Sequence, residues 1–417
     1  MISFPDGFVW GTASAAHQVE GGNVNNDWWA WEHDPRSPCV EPSGDANDHY
    51  HRYEDDFELL SSFGHNAHRL SIEWSRIEPE PDEFSNAALD HYARVLDALQ
   101  TRGMTPFVTL HHFTSPRWLG TWLRDDIADR FRRFAEIVAR RLGPRIPFCC
   151  TINEPQVVAQ AAYRHAFFPP GIGDPATQGP VTRNFLAAHA AALEAFKEHS
   201  PSSQVGLVVA LTDHQAVDEA SVPTRDRIHH WMCGVYLDAL RDGWVRGLDV
   251  ADEQVASLGG TSDFVGVNYY TRARVDASAS PRTVPPPAGA ETTQMGYEVV
   301  PDSFVTVLRE AGELGLPVYV TENGIGTADD RRRIRFLDSH LRAVRRAIDA
   351  GVDVRGYLYW CAVDNFEWAF GYQRTFGLIA CDRETFERTP KPSAHYFAEI
   401  VAANGLDPDM TDRYLSA

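Results

Sequence analysis

Eight short apolar runs, rich in β-branched and aromatic residues, recur along this chain and alternate with longer amphipathic stretches. They lie at 8–13, 66–72, 104–111, 147–153, 204–211, 263–269, 316–321 and 355–360. Runs that are apolar on both faces are the mark of parallel strands covered by helices. The segments between them carry the matching helical signal. Between Asp126 and Leu142, the apolar residues Ile127, Phe131, Phe134, Val138 and Leu142 recur at steps of four and three. Ile334, Leu337, Leu341, Val344 and Ile348 repeat the pattern, with Gly351 as the stop. Eight strand–helix units are the number that closes a barrel. The expected fold is therefore α/β, one (β/α)8 barrel spanning 1–417, without a solenoid repeat. One low-complexity stretch, 276–290, is Ser/Ala-rich and then Pro-rich, and is expected to be a mobile loop beside the sixth strand.

Composition removes several function classes. A net charge of −20 disfavours nucleic acid and anionic membrane as partners. No apolar run is long enough to span a bilayer, and no basic-then-apolar leader precedes the first strand-like run, so the expected location is cytoplasmic. The six cysteines show neither metal spacing nor disulfide density and read as buried free thiols. The only two lysines, Lys197 and Lys391, end no strand-like run, which argues against a Schiff-base mechanism. The pair His111-His112 has no third ligand at useful spacing, so no metal and no cofactor is expected.

A closed barrel gathers all eight strand C-termini at one rim, where chemistry is placed in this architecture. Polar residues stand at that level on nearly every strand. Gln18 follows the first, Arg69 lies on the second and His112 follows the third. Asn153 and Glu154 end the fourth, Asn268 and Tyr270 the sixth, and Glu322 the seventh. Trp360 ends the eighth, with Glu367 and Trp368 in the loop beyond; Asp213 and His214 after the fifth have no assigned role. Glu154 and Glu322 are the pair that matters. Cleaving a glycosidic bond takes two carboxyl groups across one sugar, one to protonate the departing oxygen and one to meet the positive charge at the anomeric carbon. Amides and indoles around them suit hydroxyl groups and the apolar face of a sugar ring.

The motifs that carry these residues resemble glycoside hydrolase family 1, the β-glucosidase and β-glycosidase family, over essentially the full chain. They are FVWGTA (8–13) with HQVEG (17–21), RLSIEWSRI (69–77), TINEP (151–155), DFVGVNYY (263–270), TENG (321–324), and DNFEW (364–368) with FGL (376–378). A lone NEP or TENG would be a weak signal; the ordered set is specific. The resemblance implies retaining hydrolysis on a (β/α)8 barrel, with Glu154 as acid/base and Glu322 as nucleophile. It implies that Asn153 holds the sugar 2-hydroxyl and that Gln18, His112, Glu367 and Trp368 hold the others. Trp360 would be the stacking floor, with Asn268 and Phe376 also in the substrate-binding set. Arg69 and Tyr270 would contact the nucleophile. A guanidinium and a phenol beside Glu322 favour its charged form, while Glu154, facing that charge, keeps its proton to higher pH. The carboxyl spacing expected is the shorter, retaining one, about 5–5.5 Å.

This chain departs from the family pattern at four places: Cys149 and Tyr297 stand for tryptophans, Cys361 for a serine and Thr375 for an arginine. Members specific for 6-phosphorylated sugars have a serine at the Glu367 position and a lysine–tyrosine clamp; Glu367 without a nearby lysine implies an unphosphorylated sugar. Thioglucosidases of the family lack the acid, so Glu154 argues against that chemistry. The expected substrates are β-glycosides or short oligosaccharides with a terminal glucosyl residue. Galactose or fucose as the main glycone, and a carbohydrate-binding pseudoenzyme on the same barrel, are the alternatives. The sequence leaves the oligomeric state open.

Overall fold

A computed structural model describes residues 2–255 and 257–416. Eight strands close on themselves: β1 (Val9–Ala13), β2 (Ala67–Ser71), β3 (Thr105–His111), β4 (Phe148–Asn153), β5 (Gln204–Ala210), β6 (Phe264–Asn268), β7 (Val318–Asn323) and β8 (Val354–Trp360). Each pairs in parallel with its sequence neighbours, and β8 returns to β1 with Gly356 opposite Val9 and Trp360 opposite Ala13. The expected (β/α)8 barrel is the fold. The outer ring is α1 (His49–Ser62), α2 (Asn86–Thr101), α3 (Ile127–Leu142), α4 (Gln178–His199), α5 (Val235–Asp242), α6 (Pro301–Gly312), α7 (Asp330–Asp349) and α8 (Pro392–Ala403).

The helical stripes read from sequence face the barrel. On α3, Ile127, Phe131, Phe134, Val138 and Leu142 are all buried. On α7, Ile334, Leu337, Leu341 and Val344 are buried and Ile348 packs at the edge of the core. Asp329 caps α7 by accepting from the Arg331 N–H at 3.0 Å. The charged run at the start of α7 is less solvated than its composition suggests. Arg333 is 1% exposed, pairs with Asp330 and donates to the carbonyls of Thr327 (2.7 Å) and Thr375 (2.8 Å). It ties the loop after β7 to the loop after β8. Within 276–290, Thr283–Val284 pairs antiparallel with Arg272–Val275.

Inside the barrel, an aromatic layer closes the lower half. Phe107 stacks on Phe148 at 4.2 Å, and Phe264 and Tyr319 pack edge-on against them. The polar residues of the rim stand above this layer. Side chains from the segments after β2 and β3 meet those of α3 in a second aromatic cluster, where Phe131 contacts Trp74 and Trp122. Replacing Phe131 by alanine removes a fully buried ring from that contact. The expected cost is about 3–5 kcal/mol, read as a lowered urea midpoint with an unchanged slope.

Candidate active site

Asn153 and Glu322 each reach the barrel interior through an irregularity in their strand. Between β4 and β5, Cys150 faces Gly206 but Asn153 faces Val208, so β4 carries one extra residue. Strict alternation would send Ile152 inward with Phe148 and Cys150. The bulge instead leaves Ile152 in the outer core and turns Asn153 in. β7 does the same. Val320 and Asn323 oppose Tyr357 and Tyr359, and Val267 and Asn268 oppose Val320 and Glu322. The extra residue after Val320 brings Glu322 to the interior, where alternation from Tyr319 would have turned it out. A bulge re-aims a side chain in this way at sheet rims and active sites.

The turn after each strand is equally constrained. Glu154 sits in the left-handed region (φ 47, ψ 56) and starts the short helix Pro155–Val158, its N–H held by the Val208 carbonyl at 2.9 Å. That conformation costs a non-glycine residue on the order of 1–2 kcal/mol. The proline that follows is suited to a first helical position. Past β7, Gly324 passes so close to β8 that a β-carbon there would lie 1.8 Å from the Trp360 carbonyl oxygen. The glycine of TENG is therefore required by the approach of the two strand ends. Phe113 (φ 69) and Trp368 (φ 51), which border the same cavity, also hold left-handed backbone. Such conformations persist where the surroundings enforce them, typically at functional sites.

Arg69 is the hub. It is fully buried and donates from Nη1 to Glu322 Oε1 (2.5 Å), from Nη2 to Asn153 Oδ1 (2.6 Å) and from Nε to Thr109 Oγ1 (3.0 Å). The Tyr270 hydroxyl donates to the other Glu322 oxygen at 2.6 Å. Asn268 links Glu154 to Asn153. Its Oδ1 accepts from Thr321 Oγ1 (2.7 Å), which turns its amide nitrogen toward Glu154 Oε1 (2.7 Å) and Asn153 Oδ1 (3.0 Å). Asn153 Nδ2 donates to His112 Nε2 at 3.2 Å.

Glu154, Glu322, His112, Asn268, Tyr270, Trp360, Glu367, Trp368 and Phe376 line one cavity of about 410 Å³. Asn153 and Arg69 lie just beneath them in the hydrogen-bond network. Gln18 is buried beside Glu367, donating to the Phe366 carbonyl (2.7 Å) and Glu367 Oε2 (3.4 Å). The Gln18 Oε1 and His112 Nδ1 atoms are buried without a protein partner. All twelve residues singled out from sequence thus fall in one neighbourhood. His111 packs against Trp122 behind the wall, and Trp28 packs behind Trp368. The sequence reading missed the aromatic part of the cavity wall, formed by Phe113, Phe167, Phe168 and Phe370, together with Met295. It also missed Thr109 and Thr321, whose hydroxyls orient Arg69 and Asn268. Their strand alternation was visible, but nothing in it marks a hydroxyl as part of a network.

Electrostatics separates the acids. Burial, then the negative charge of Glu322, raises the Glu154 pKa to about 8, against the pull of Asn268 and Arg69. Burial also raises Glu322, but Arg69 and Tyr270 both favour its charged form, so Glu322 is the one of the coupled pair that ionises first. Glu367 is lifted to about 8 by burial and by Glu322. Burial and the Arg69 charge hold His112 well below its usual range, as a neutral imidazole.

Residues 1–406 match the family model for glycosyl hydrolase family 1. Beta-glucosidase A of Thermotoga maritima is 32% identical over 440 residues, covering 97% of this chain and 99% of its own length. A bifunctional beta-D-glucosidase/beta-D-fucosidase of Bifidobacterium breve is 34% identical over 453 residues, covering 96% and 98%. The solved structure of a beta-glycosidase from Pyrococcus horikoshii aligns with a TM-score of 0.92 at 37% identity, covering 99% of this chain and 98% of that one.

A carbon-13 titration of the glutamate carboxyls checks this electrostatic picture. Glu154 is expected to be half-ionised near pH 8. In Glu322→Gln the opposing charge is gone, so Glu154 and Glu367 should both titrate at lower pH. A Glu154 that titrates in the ordinary carboxylate range in the wild type would contradict it.

Proposed function

The chain belongs to glycosyl hydrolase family 1, and we propose that it acts as a retaining β-glucosidase with Glu322 as nucleophile and Glu154 as acid and base. It is a β-glycosidase. The observation that carries the assignment of roles is the unequal company of the two acids. Glu322 has a guanidinium and a phenol on its two oxygens, whereas Glu154 has a single amide.

In the proposed reaction, a terminal β-glucosyl residue enters the cavity with its apolar face on Trp360. Asn153 takes the 2-hydroxyl; Gln18, His112, Glu367 and Trp368 take the others, a reading supported by the buried Gln18 Oε1 and His112 Nδ1 having no protein partner. Ionised Glu322 attacks the anomeric carbon while Glu154 gives its proton to the leaving oxygen. Glu154, now charged, takes a proton from water, and that water releases the sugar with its original configuration. Departure of the first negative charge into a covalent bond lowers the Glu154 pKa, which suits the change from acid to base. No metal takes part in these steps. Glucose is the favoured glycone, with fucose and galactose as further substrates, since neighbouring acceptors such as Gln18 and Glu367 can serve either orientation of a 4-hydroxyl. A cytoplasmic location is in keeping with six free cysteines. A protein that only bound sugar would need no pair of buried acids held at different proton affinities.

Azide separates the two roles. Glu322→Ala should lose turnover by at least 10³-fold, and azide should restore it on aryl glucosides by forming the α-glucosyl azide. Glu154→Ala should keep most activity on aryl glucosides with good leaving groups, lose it on alkyl glucosides, and give the β-azide. Its kcat/KM should also lose the fall that the wild type shows as pH rises through about 8, where Glu154 gives up its proton. Exchanged azide configurations would reverse the assignment. Nitrophenyl gluco-, galacto- and fucosides compared by kcat/KM would fix the glycone.

A further inference from the structure

Beyond the fifth strand lies a second group of reactive side chains that the glycosidase reaction does not use. His214 is on Asp213–Ala216, a short strand outside the barrel that pairs in parallel with Arg272–Val275. His229 ends the helix Val222–His229, and Cys233 follows one turn later in the wide turn His230–Gly234 that leads into α5. One donor atom from each of the three lies within 4.8 Å of the other two, the one such trio among the described residues.

We propose that His214, His229 and Cys233 form a binding site for one transition-metal cation, zinc by the chemistry of its ligands. Two imidazoles and a thiolate suit a soft-to-borderline ion and exclude calcium and magnesium, which take oxygen. The two Nδ1 atoms face each other at 3.2 Å. Zinc–nitrogen bonds of about 2.0–2.1 Å in a tetrahedron set two ligand nitrogens roughly 3.3 Å apart, so this edge of the polyhedron is already formed. The thiol of Cys233 points at the Thr212 carbonyl across a long 3.9 Å contact and gives up little when it turns to a metal.

The groups behind the ligands fit as well. His229 Nε2 donates to Glu310 of α6 at 2.7 Å, which leaves its Nδ1 lone pair toward His214. A carboxylate behind a ligating histidine is the common arrangement at metal centres. His214 and Cys233 are buried, while the His229 side chain is 28% exposed and opens a path from solvent. The cation would staple the outer strand to its following helix, with water in the fourth position. A bare imidazole–imidazole hydrogen bond would explain the facing nitrogens, but not a thiol set against the same pair.

Calorimetric titration of the chelator-treated protein with zinc chloride tests the proposal. The expected result is one ion per chain at micromolar affinity or tighter, weakened at least 100-fold in His214→Ala and in Cys233→Ser. His230→Ala, whose ring hydrogen-bonds to the Arg246 carbonyl, should bind as the wild type does. Cobalt(II) added to the wild type should give a thiolate-to-metal absorption band, a readout that needs no variant to fold. Absence of saturable binding, a cobalt complex without that band, or undiminished binding in Cys233→Ser would each overturn it.

Discussion

A charged guanidinium with no exposure to water sits at the centre of this barrel, and the site is arranged around it. Arg69 could not remain there alone, since an unpaired buried charge costs far more than any domain can spare. Its partners therefore have to be present together: Glu322, Asn153 and Thr109, from three other strands. This constraint works in both directions. The barrel positions the partners, and the partners fix the register and tilt of strands β2, β3, β4 and β7 where they end. Removing one side of such a pair destabilises by about 3–5 kcal/mol. Conversely, the ion pair adds little net stability over an apolar core of the same shape, so its presence is better explained by chemistry than by folding.

The same arrangement decides which acid carries a proton. Three carboxyls, Glu154, Glu322 and Glu367, face one cavity that holds a single compensating hub. Arg69 is bonded to one of them and the positive charge is used there. For the remaining two, burial and the negative neighbour outweigh the weaker pull of Arg69 on Glu154 and of Arg374 on Glu367, and both are raised to about 8. For Glu154 that shift lies along the reaction. For Glu367 it means that the carboxyl can donate a hydrogen bond as well as accept one at neutral pH.

Much of this was legible in the sequence, for a physical reason. Parallel strands buried on both faces and helices with one apolar stripe produce strong, long-range patterns, so the eight strands and the buried faces of α3 and α7 could be read directly. Rim residues could be read because a barrel puts strand ends together whatever their separation in the chain. Local exceptions could not. β7 was expected to stop at Thr321 and runs to Asn323, because the bulge lets Asn323 pair with Tyr359 after Glu322 has turned inward. The burial of Arg333 depends on carbonyls from two loops that meet only in the fold. His214 was noticed and left without a role; its neighbours His229 and Cys233 lie on a helix whose wide turn periodicity does not reveal.

These exceptions share a location. Both extra strand residues, three left-handed non-glycine residues and the glycine contact at 1.8 Å lie at or just beyond the C-terminal rim. The lower half of the barrel, with its stacked phenylalanines, is more regular, with a register shift where β7 begins, between Val318 and Tyr319. Regular packing below thus supports irregular backbone above. The departures from the family pattern follow the same division. Cys149 faces the outer core and Cys361 bonds to the Val363 carbonyl, both away from the cavity surface. Tyr297 alone of the four lines the cavity, beside Tyr270 at 6.2 Å. Replacing an indole by a phenol there leaves the acids untouched and changes the wall that the substrate meets, so among the four it is the position where this chain's selectivity can differ from that of its relatives.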